Sequence, residues 1–287
     1  MPMMQDNIKR KKLKKIPLSV LGYIFGATIC IIMIFPFYFM VISSFKTMSE
    51  YTAAVPTLIP TKISLEGYQL VFSNMKVFGR MFLNSLTVSI VIPILQTIVC
   101  LPCAYALSRL NFVGKKFIFI LLICAMMFPG QLTIIQNFST MTQLKLINNL
   151  MSVILLGIYS SGAIFMMRQY LLSLPKELEE AAKIDGCGTF RSFLYIIAPL
   201  SLPVVTTNLV LCFNGVWGDF FGPMLLLRNK ESMTLPVGMK YIMGQLGNST
   251  PTANLAALTI MCVPVIIFFF VFRKKLISGI ANTGLKM

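Results

Sequence analysis

The feature that most narrows the fold of this chain is a set of six long apolar runs, each bounded by polar or basic residues. They lie at about Leu18 to Ile42, Met81 to Leu107, Phe117 to Phe138, Leu150 to Met167, Leu200 to Leu227 and Leu255 to Phe272. Runs of roughly 17 to 25 apolar residues match the length at which an α-helix crosses the hydrocarbon core of a bilayer. A soluble fold would have to bury all of them. With 56% hydrophobic and only 12% charged residues, and a mean hydropathy of +0.80, the chain lacks the polar surface to do so. We expect an all-α membrane protein with six transmembrane helices. Pro93 and Pro102 fall inside the second run and Pro129-Gly130 inside the third. Neighbouring helices can satisfy the carbonyls such residues free, and the Pro-Gly pair predicts a break.

The chain carries 25 Lys and Arg against 9 Asp and Glu, a formal charge of +16. Such an excess suits nucleic acid unless the charges sort by side of the membrane, and here they do. With residues 1–17 placed inside as a basic tail, 17 Lys and Arg fall in inner segments and 8 in outer ones. Basic inner loops set orientation. Both termini are therefore expected in the cytoplasm of a multi-pass cell-membrane protein. The basic residues serve topology and contact with membrane lipid, and nucleic acid has no part. The run at 18–42 is too long for a signal-peptide core and lacks a small-residue cleavage site, so it reads as the first transmembrane helix. Residues 273–287 read as a second cytoplasmic tail.

Between the fourth and fifth runs lies the stretch 174–203, LPKELEEAAKIDGCGTFRSFLYIIAPLSLP, the densest group of acidic residues in the chain. Pro175 suits a first helical position. Glu177, Glu179 and Glu180 suit the positive end of a helix dipole. Leu174, Leu178, Ala181 and Ile184 make one apolar stripe, and Glu179 with Lys183 is an i,i+4 pair in the favourable order. Gly186 predicts a helix stop with positive φ. A second helix is expected from Thr189 to Pro199, with Phe190, Phe193 and Ile197 on one face. Two readings stay open on physics alone: helices lying among lipid headgroups, or a stiff knob that docks on a partner.

The chain has no His, hence no His-based triad and no His metal site. It contains no G-x-x-x-x-G-K-[ST] with which to cradle a nucleotide. No catalytic residue, metal or cofactor is expected in this chain, and nothing marks it as an enzyme. Cys100 and Cys103 form a C-x-x-C within an apolar run and read as small hydrophobes.

The spacing Glu180-Ala181-Ala182, three residues, Gly186, nine residues, Ile196-Ile197-Ala198-Pro199 resembles the EAA loop of binding-protein-dependent ABC importer permeases, with Ala198 where that family has Leu. The likeness extends from about Val77 to the end. Asn84-Ser85-Leu86, Ala104-Tyr105-Ala106-Leu107-Ser108-Arg109-Leu110, Met126-Met127-Phe128-Pro129-Gly130-Gln131, Arg168-Gln169-Tyr170, Thr234-Leu235-Pro236-Val237-Gly238 and Gly284-Leu285-Lys286 all look like the sugar-importer branch, in particular its second, shorter permease. Where that branch often has Trp-Asn-Asp-Phe, this chain has Trp217-Gly218-Asp219-Phe220.

The resemblance implies a type I ABC importer permease, with residues 77–272 as its transmembrane domain. The partners it implies are a second permease in a heterodimer, two ATPase subunits that bind the ATP, and an extracytoplasmic solute-binding protein. It assigns ATPase coupling to Glu180, Ala181, Ala182, Asp185, Gly186 and Pro199, and the substrate pathway to Asn214, Trp217, Asp219 and Phe220. The aromatic cluster of Phe213, Trp217, Phe220 and Phe221 admits sugar stacking or simple packing and interface anchoring. Asp219 admits a pathway role or an ion pair with Arg228. A permease for peptides or amino acids is the alternative. A stand-alone carrier is a weaker one, for it would show paired inverted repeats with charges in mid-span.

Overall fold

The computed structural model describes the backbone of residues 2–73, 75–246 and 251–284, and the side chains of Val20, 22–73, 77–242 and 251–272. The expectations for residues 285–287 and for the side chains of the two basic tails lie outside these. Among the described residues every regular element is helical. Among the described residues four helical stretches are long and apolar enough to span a bilayer, at Gly22–Ser44, Val77–Arg109, Leu150–Ser173 and Pro251–Phe272. Two bent pairs bring the number up to six.

The chain divides into two compact units. The first runs to Ser73 and includes a later stretch ending at Ile260. It comprises α1 (Pro2–Ser44), the one-turn α2 (Met48–Tyr51), α3 (Glu66–Ser73) and the start of the last helix, Pro251–Gly284. No helix break separates the basic tail from the first span. After α1 the chain folds back on polar contacts. Lys46 is buried, with its ammonium on the Thr57 carbonyl and 5.1 Å from the Phe39 ring centre. Glu50 accepts hydrogen bonds from the Thr57 hydroxyl at 2.7 Å and the Thr61 amide at 2.9 Å. These hold its carboxyl below the ordinary glutamate value. Helix α3 crosses the last helix closely: a Cβ on Gly67 would lie 2.8 Å from the Thr252 carbonyl oxygen, so only glycine fits.

The second unit is built around α4 (Met75–Arg109). Its buried positions, Met81, Val88, Ile92, Cys100 and Ala104, recur at helical spacing and let neighbours approach from several sides. Helix α5 (Lys115–Met127) follows, then a 3₁₀ turn at Gly130–Thr133 and α6 (Ile134–Gln143), with a 94° bend between the two arms. This is the break expected at Pro129. The fourth run, expected to be one helix, is two: α7 (Leu150–Gly157) and α8 (Ser161–Ser173). Tertiary partners make the gap tolerable. Gln96 Nε2 donates to the Gly157 carbonyl at 3.0 Å, and the Cys100 thiol reaches the carbonyls of Ile158 and Ser160 at 3.9 and 3.8 Å. Ser160 Oγ caps α8 by accepting from the Ala163 amide. Cys100 is thus a weak donor as well as a small hydrophobe, and all seven cysteines are free.

Beyond α8 come α9 (Glu177–Ile184), α10 (Thr189–Ser192), a π-helical turn at Phe193–Ile197, α11 (Ala198–Leu200), α12 (Leu202–Trp217), α13 (Phe221–Leu226) and α14 (Leu235–Leu246). The fifth run, expected to continue to Leu227, stops at Gly218 and restarts as α13. Helices α8 and α12 flank the C-terminal half of α4 around a core of Leu101, Ala104, Met167, Leu171, Ile197 and Val204. Helix α7 and the end of α13 cover its N-terminal half at Val88, Ile92, Val153 and Leu226. The N-terminal end of α4, called the outer end on the expected topology, is tied by neutral hydrogen bonds. Asn84 Nδ2 donates to the carbonyls of Glu231 and Met233 at 2.8 and 2.9 Å, and the Leu235 amide donates to Ser85 Oγ at 2.7 Å.

Candidate functional site

The acidic stretch between α8 and α12 folds as two helical pieces joined at a glycine. Helix α9 begins at Glu177, with Lys176 at its N-cap, so Pro175 is not the first helical residue. It lies in the turn instead, because Leu174 before it is extended, as a residue preceding proline prefers. At the other end, the Cys187 amide donates to the Ala182 carbonyl at 2.8 Å and the Gly186 amide to the Lys183 carbonyl at 3.0 Å. That pair of bonds is a Schellman closure, which needs a left-handed residue. Gly186 supplies it with φ +78°.

The second piece runs from Thr189 through Pro199 to Leu200. Pro199 does not end it. Its ring and missing N–H displace the carbonyl four residues back, and the helix responds by widening. The Ala198 amide bonds to the Phe193 carbonyl five residues earlier, a π-turn. A 69° bend then leads into α12.

The apolar stripe of α9 faces outward. Leu178 is exposed, Ile184 is 87% exposed, and Phe190 and Tyr195 beyond the glycine are also open. Of the coupling candidates, Glu180, Ala181, Asp185, Gly186 and Pro199 are exposed and Ala182 is buried. The expected Glu179–Lys183 pair does not form, because Glu179 turns inward to Arg109. Arg109 Nε lies 3.5 Å from Glu179 Oε2, with the side chains 4% and 13% exposed. Arg109 Nη2 also donates to the carbonyls of Leu171 and Leu174, both at 2.7 Å, closing the C-terminus of α8. Arg168 on α8 returns the arrangement, with Nε donating to the Leu107 carbonyl at 3.2 Å and its guanidinium 3.8 Å from the Phe119 ring centre. The sequence marks Arg109 only as part of a longer motif and gives Glu179 the nearby Lys183, since neither residue hints at a partner so far along the chain.

The substrate-pathway candidates separate in space. Trp217 is buried, stacked on Phe213, edge-on to Phe82, and its Nε1 donates to the Met261 carbonyl at 3.1 Å. It packs the end of α12. Asn214 and Asp219 are exposed, and Phe220 lies under the Lys240 ammonium. The Asp219 carboxylate faces the backbone amides of Phe220, Phe221 and Gly222 at the start of α13. Among the described residues it makes no ion pair with Arg228, whose guanidinium instead lies 5.0 Å from the Phe138 ring centre. Of the four candidates only Asp219 lines a cavity of about 330 Å³, together with Gln131, Asn137, Gly157 and Ile92. Gln131 and Asn137 were not singled out from the sequence as pathway residues. The position of Gln131 next to the Pro129 break is the signal that could have drawn attention to it.

Residues 96–281 match the family described as binding-protein-dependent transport system inner membrane component, a span that contains the whole glycine-hinged loop. Over nearly its full length the chain is similar to the arabinooligosaccharides transport system permease protein AraQ of Halalkalibacterium halodurans. The two are 32% identical over 271 residues, covering 94% of this chain and 96% of the relative. It is also similar to the inner membrane ABC transporter permease protein YcjP of Escherichia coli K12, at 32% over 277 residues and 94% and 97% coverage. The maltodextrin transport system permease protein MalD of Streptococcus pneumoniae is 28% identical over 277 residues, with 95% and 97% covered. One chain in the crystal structure of a bacterial ABC transporter involved in the import of the acidic polysaccharide alginate superposes with a TM-score of 0.78 at 24% identity, covering 90% of this chain and 95% of that one. The chain has the fold of an ABC importer permease and belongs to the binding-protein-dependent transport system inner membrane component family.

Proposed function

We propose that this chain is one of two permease subunits of an ATP-driven importer that carries a sugar or oligosaccharide across the cell membrane. In this reading the chain has six spans and both termini in the cytoplasm. Its partners are a second permease, two ATPase subunits and an extracytoplasmic solute-binding protein. ATP is bound by the ATPase subunits, and this chain carries no cofactor and no catalytic residue. The observation that carries this reading is the glycine-hinged loop, whose outward apolar residues Leu178, Ile184 and Phe190 form a surface fit for a cleft in another protein. A knob of this kind turns closure of one protein into rotation of helices in another. Glu180, Ala181, Ala182, Asp185, Gly186 and Pro199 form the coupling element. Asn214, Asp219 and Phe220 border the solute path, with Trp217 packed behind them. The names of the similar permeases, for arabinooligosaccharides and maltodextrin, support a sugar over a peptide.

The test is reconstitution in liposomes. The five-subunit assembly should take up an oligosaccharide only with ATP and the loaded binding protein, and this chain alone should move none and hydrolyse no ATP. Transport by the chain alone would establish a carrier instead. ATP-dependent uptake of peptides and not of sugars would establish the other solute class.

A further inference from the structure

Two residues one helical turn apart at the inner end of α4, Tyr105 and Arg109, meet the loop on both sides of its glycine. Arg109 pairs with Glu179 in α9. The Tyr105 ring lies 5.0 Å from that of Phe193, in the piece beyond Gly186, and its hydroxyl sits beside Glu179. The same Arg109 guanidinium closes α8 at Leu171 and Leu174. One face of α4 is thus a two-point seat for the loop, charged on one side of the hinge and aromatic on the other, and its charged point is shared with α8.

The charged point is incompletely satisfied. Arg109 Nε and Nη1 and Glu179 Oε1 are buried without hydrogen-bond partners. Desolvation makes a buried pair of this kind close to neutral as a source of stability, while loss of one partner leaves an uncompensated buried charge. Such a contact suits a joint that must hold an angle and then rearrange better than one that only adds stability. The alternative, that Arg109 merely caps α8, accounts for the two carbonyl bonds and not for the placement of Glu179.

We propose that Arg109 and Glu179 are positioning residues that transmit displacement of the docking loop to the second and fourth spans, with Glu179 setting the angle of α9 on α4. The proposal rests on the reading of the loop as the ATPase coupling element. It adds the internal half of the linkage, on the face turned away from the ATPase.

The experiment uses the assembled complex in nanodiscs with Glu179→Gln, Arg109→Gln, the double variant and the conservative Glu179→Asp. Three quantities are read: retention of the ATPase subunits, stimulation of ATP hydrolysis by loaded binding protein, and ATP consumed per solute moved. Glu179→Gln should retain the ATPase, lose at least about fivefold in stimulation and raise ATP consumed per solute. Glu179→Asp should recover part of both, and the double variant should be less impaired than the two single losses combined, as coupled residues require. Wild-type stimulation and stoichiometry in Glu179→Gln would overturn the proposal. If Arg109→Gln does not assemble, the decision rests on Glu179→Gln, whose amide keeps the shape of the carboxylate. Failure of the coupling reading itself would show differently, as normal stimulation when Gly186 is replaced by proline.

Discussion

The two ends of α4 are fastened by different chemistry. At the outer end, Asn84 and Ser85 make neutral hydrogen bonds to backbone groups of Glu231, Met233 and Leu235, all short and all paired. At the inner end, Arg109 carries a buried charge shared between two helix carbonyls and one carboxylate, with polar atoms left over. A neutral bond to backbone has one good geometry, and breaking it leaves an unsatisfied carbonyl. A half-satisfied ion pair has several geometries of similar energy. On the proposed reading the end at Asn84 and Ser85 acts as an anchor and the end at Arg109 as a lever. That contrast predicts that damage at the inner end disturbs coupling, and damage at the outer end disturbs stability.

The largest effect is expected from Gly186→Pro. Proline fixes φ near −65°, and the loop needs +78° at this position. The Gly186 amide also donates to the Lys183 carbonyl, a bond proline cannot make. The variant should insert and fold, judged by yield and size-exclusion profile. It should lose solute uptake by tenfold or more, with ATP hydrolysis no longer responsive to the binding protein. Normal stimulation would show that the inner end is no lever.

Asn84→Ala probes the other end. It strips donors from two carbonyls and should cost about 1–3 kcal/mol in thermal unfolding of the complex. The fraction that stays folded should consume the wild-type amount of ATP per solute. An uncoupled Asn84→Ala complex of normal stability would erase the distinction between the two ends.

Features set by neighbouring residues were legible in the sequence, and features set by distant ones were not. The Pro129 break and the left-handed Gly186 depend on local backbone geometry, and each stands where it was expected, while the apolar runs appear as four long stretches and two bent pairs. Glu179 was assigned to Lys183 because both lie on one short helix. Its actual partner sits at the end of α4, brought close only by the packing of α4 on α8. The gap in the fourth run escaped notice for the same reason. No proline announces it, and Gln96 and Cys100, which satisfy its carbonyls, belong to another span. For Asp219 the sequence admits a pathway role or an ion pair with Arg228, and only the restart of the chain as α13 puts three amides near its carboxylate.

Glu180→Ala should be mild. Glu180 is exposed on the outer side of α9, and a single exposed ion pair to an ATPase is worth roughly 0–1 kcal/mol. Uptake should fall by no more than about fivefold with stoichiometry unchanged, measured in the same nanodisc assay. A loss as deep as that of Gly186→Pro would mean that Glu180 is buried on docking and carries more of the linkage than the inward Glu179.

The smallest effect is expected in the first unit, where Glu50 gives a polar tether its own pH dependence. Its carboxylate accepts from the Thr57 hydroxyl and the Thr61 amide, which favour the charged form and lower its pKa from the ordinary 4.5. A carboxyl lowered in the folded state contributes stability that is fully present above its unfolded pKa. That contribution is lost as pH falls through the folded value. The segment from Thr47 to Lys62 should therefore keep its hydrogen-exchange protection at pH 7 and lose part of it below pH 4.5. Glu50→Gln should flatten that dependence, since the amide oxygen can still accept both bonds and has no proton to take up. Because both bonds lie within this segment, the difference should be confined to it and leave global unfolding unmoved. An equal acid response in Glu50→Gln would assign the pH dependence to another group, and a shift in global unfolding would make this tether an anchor comparable to Asn84.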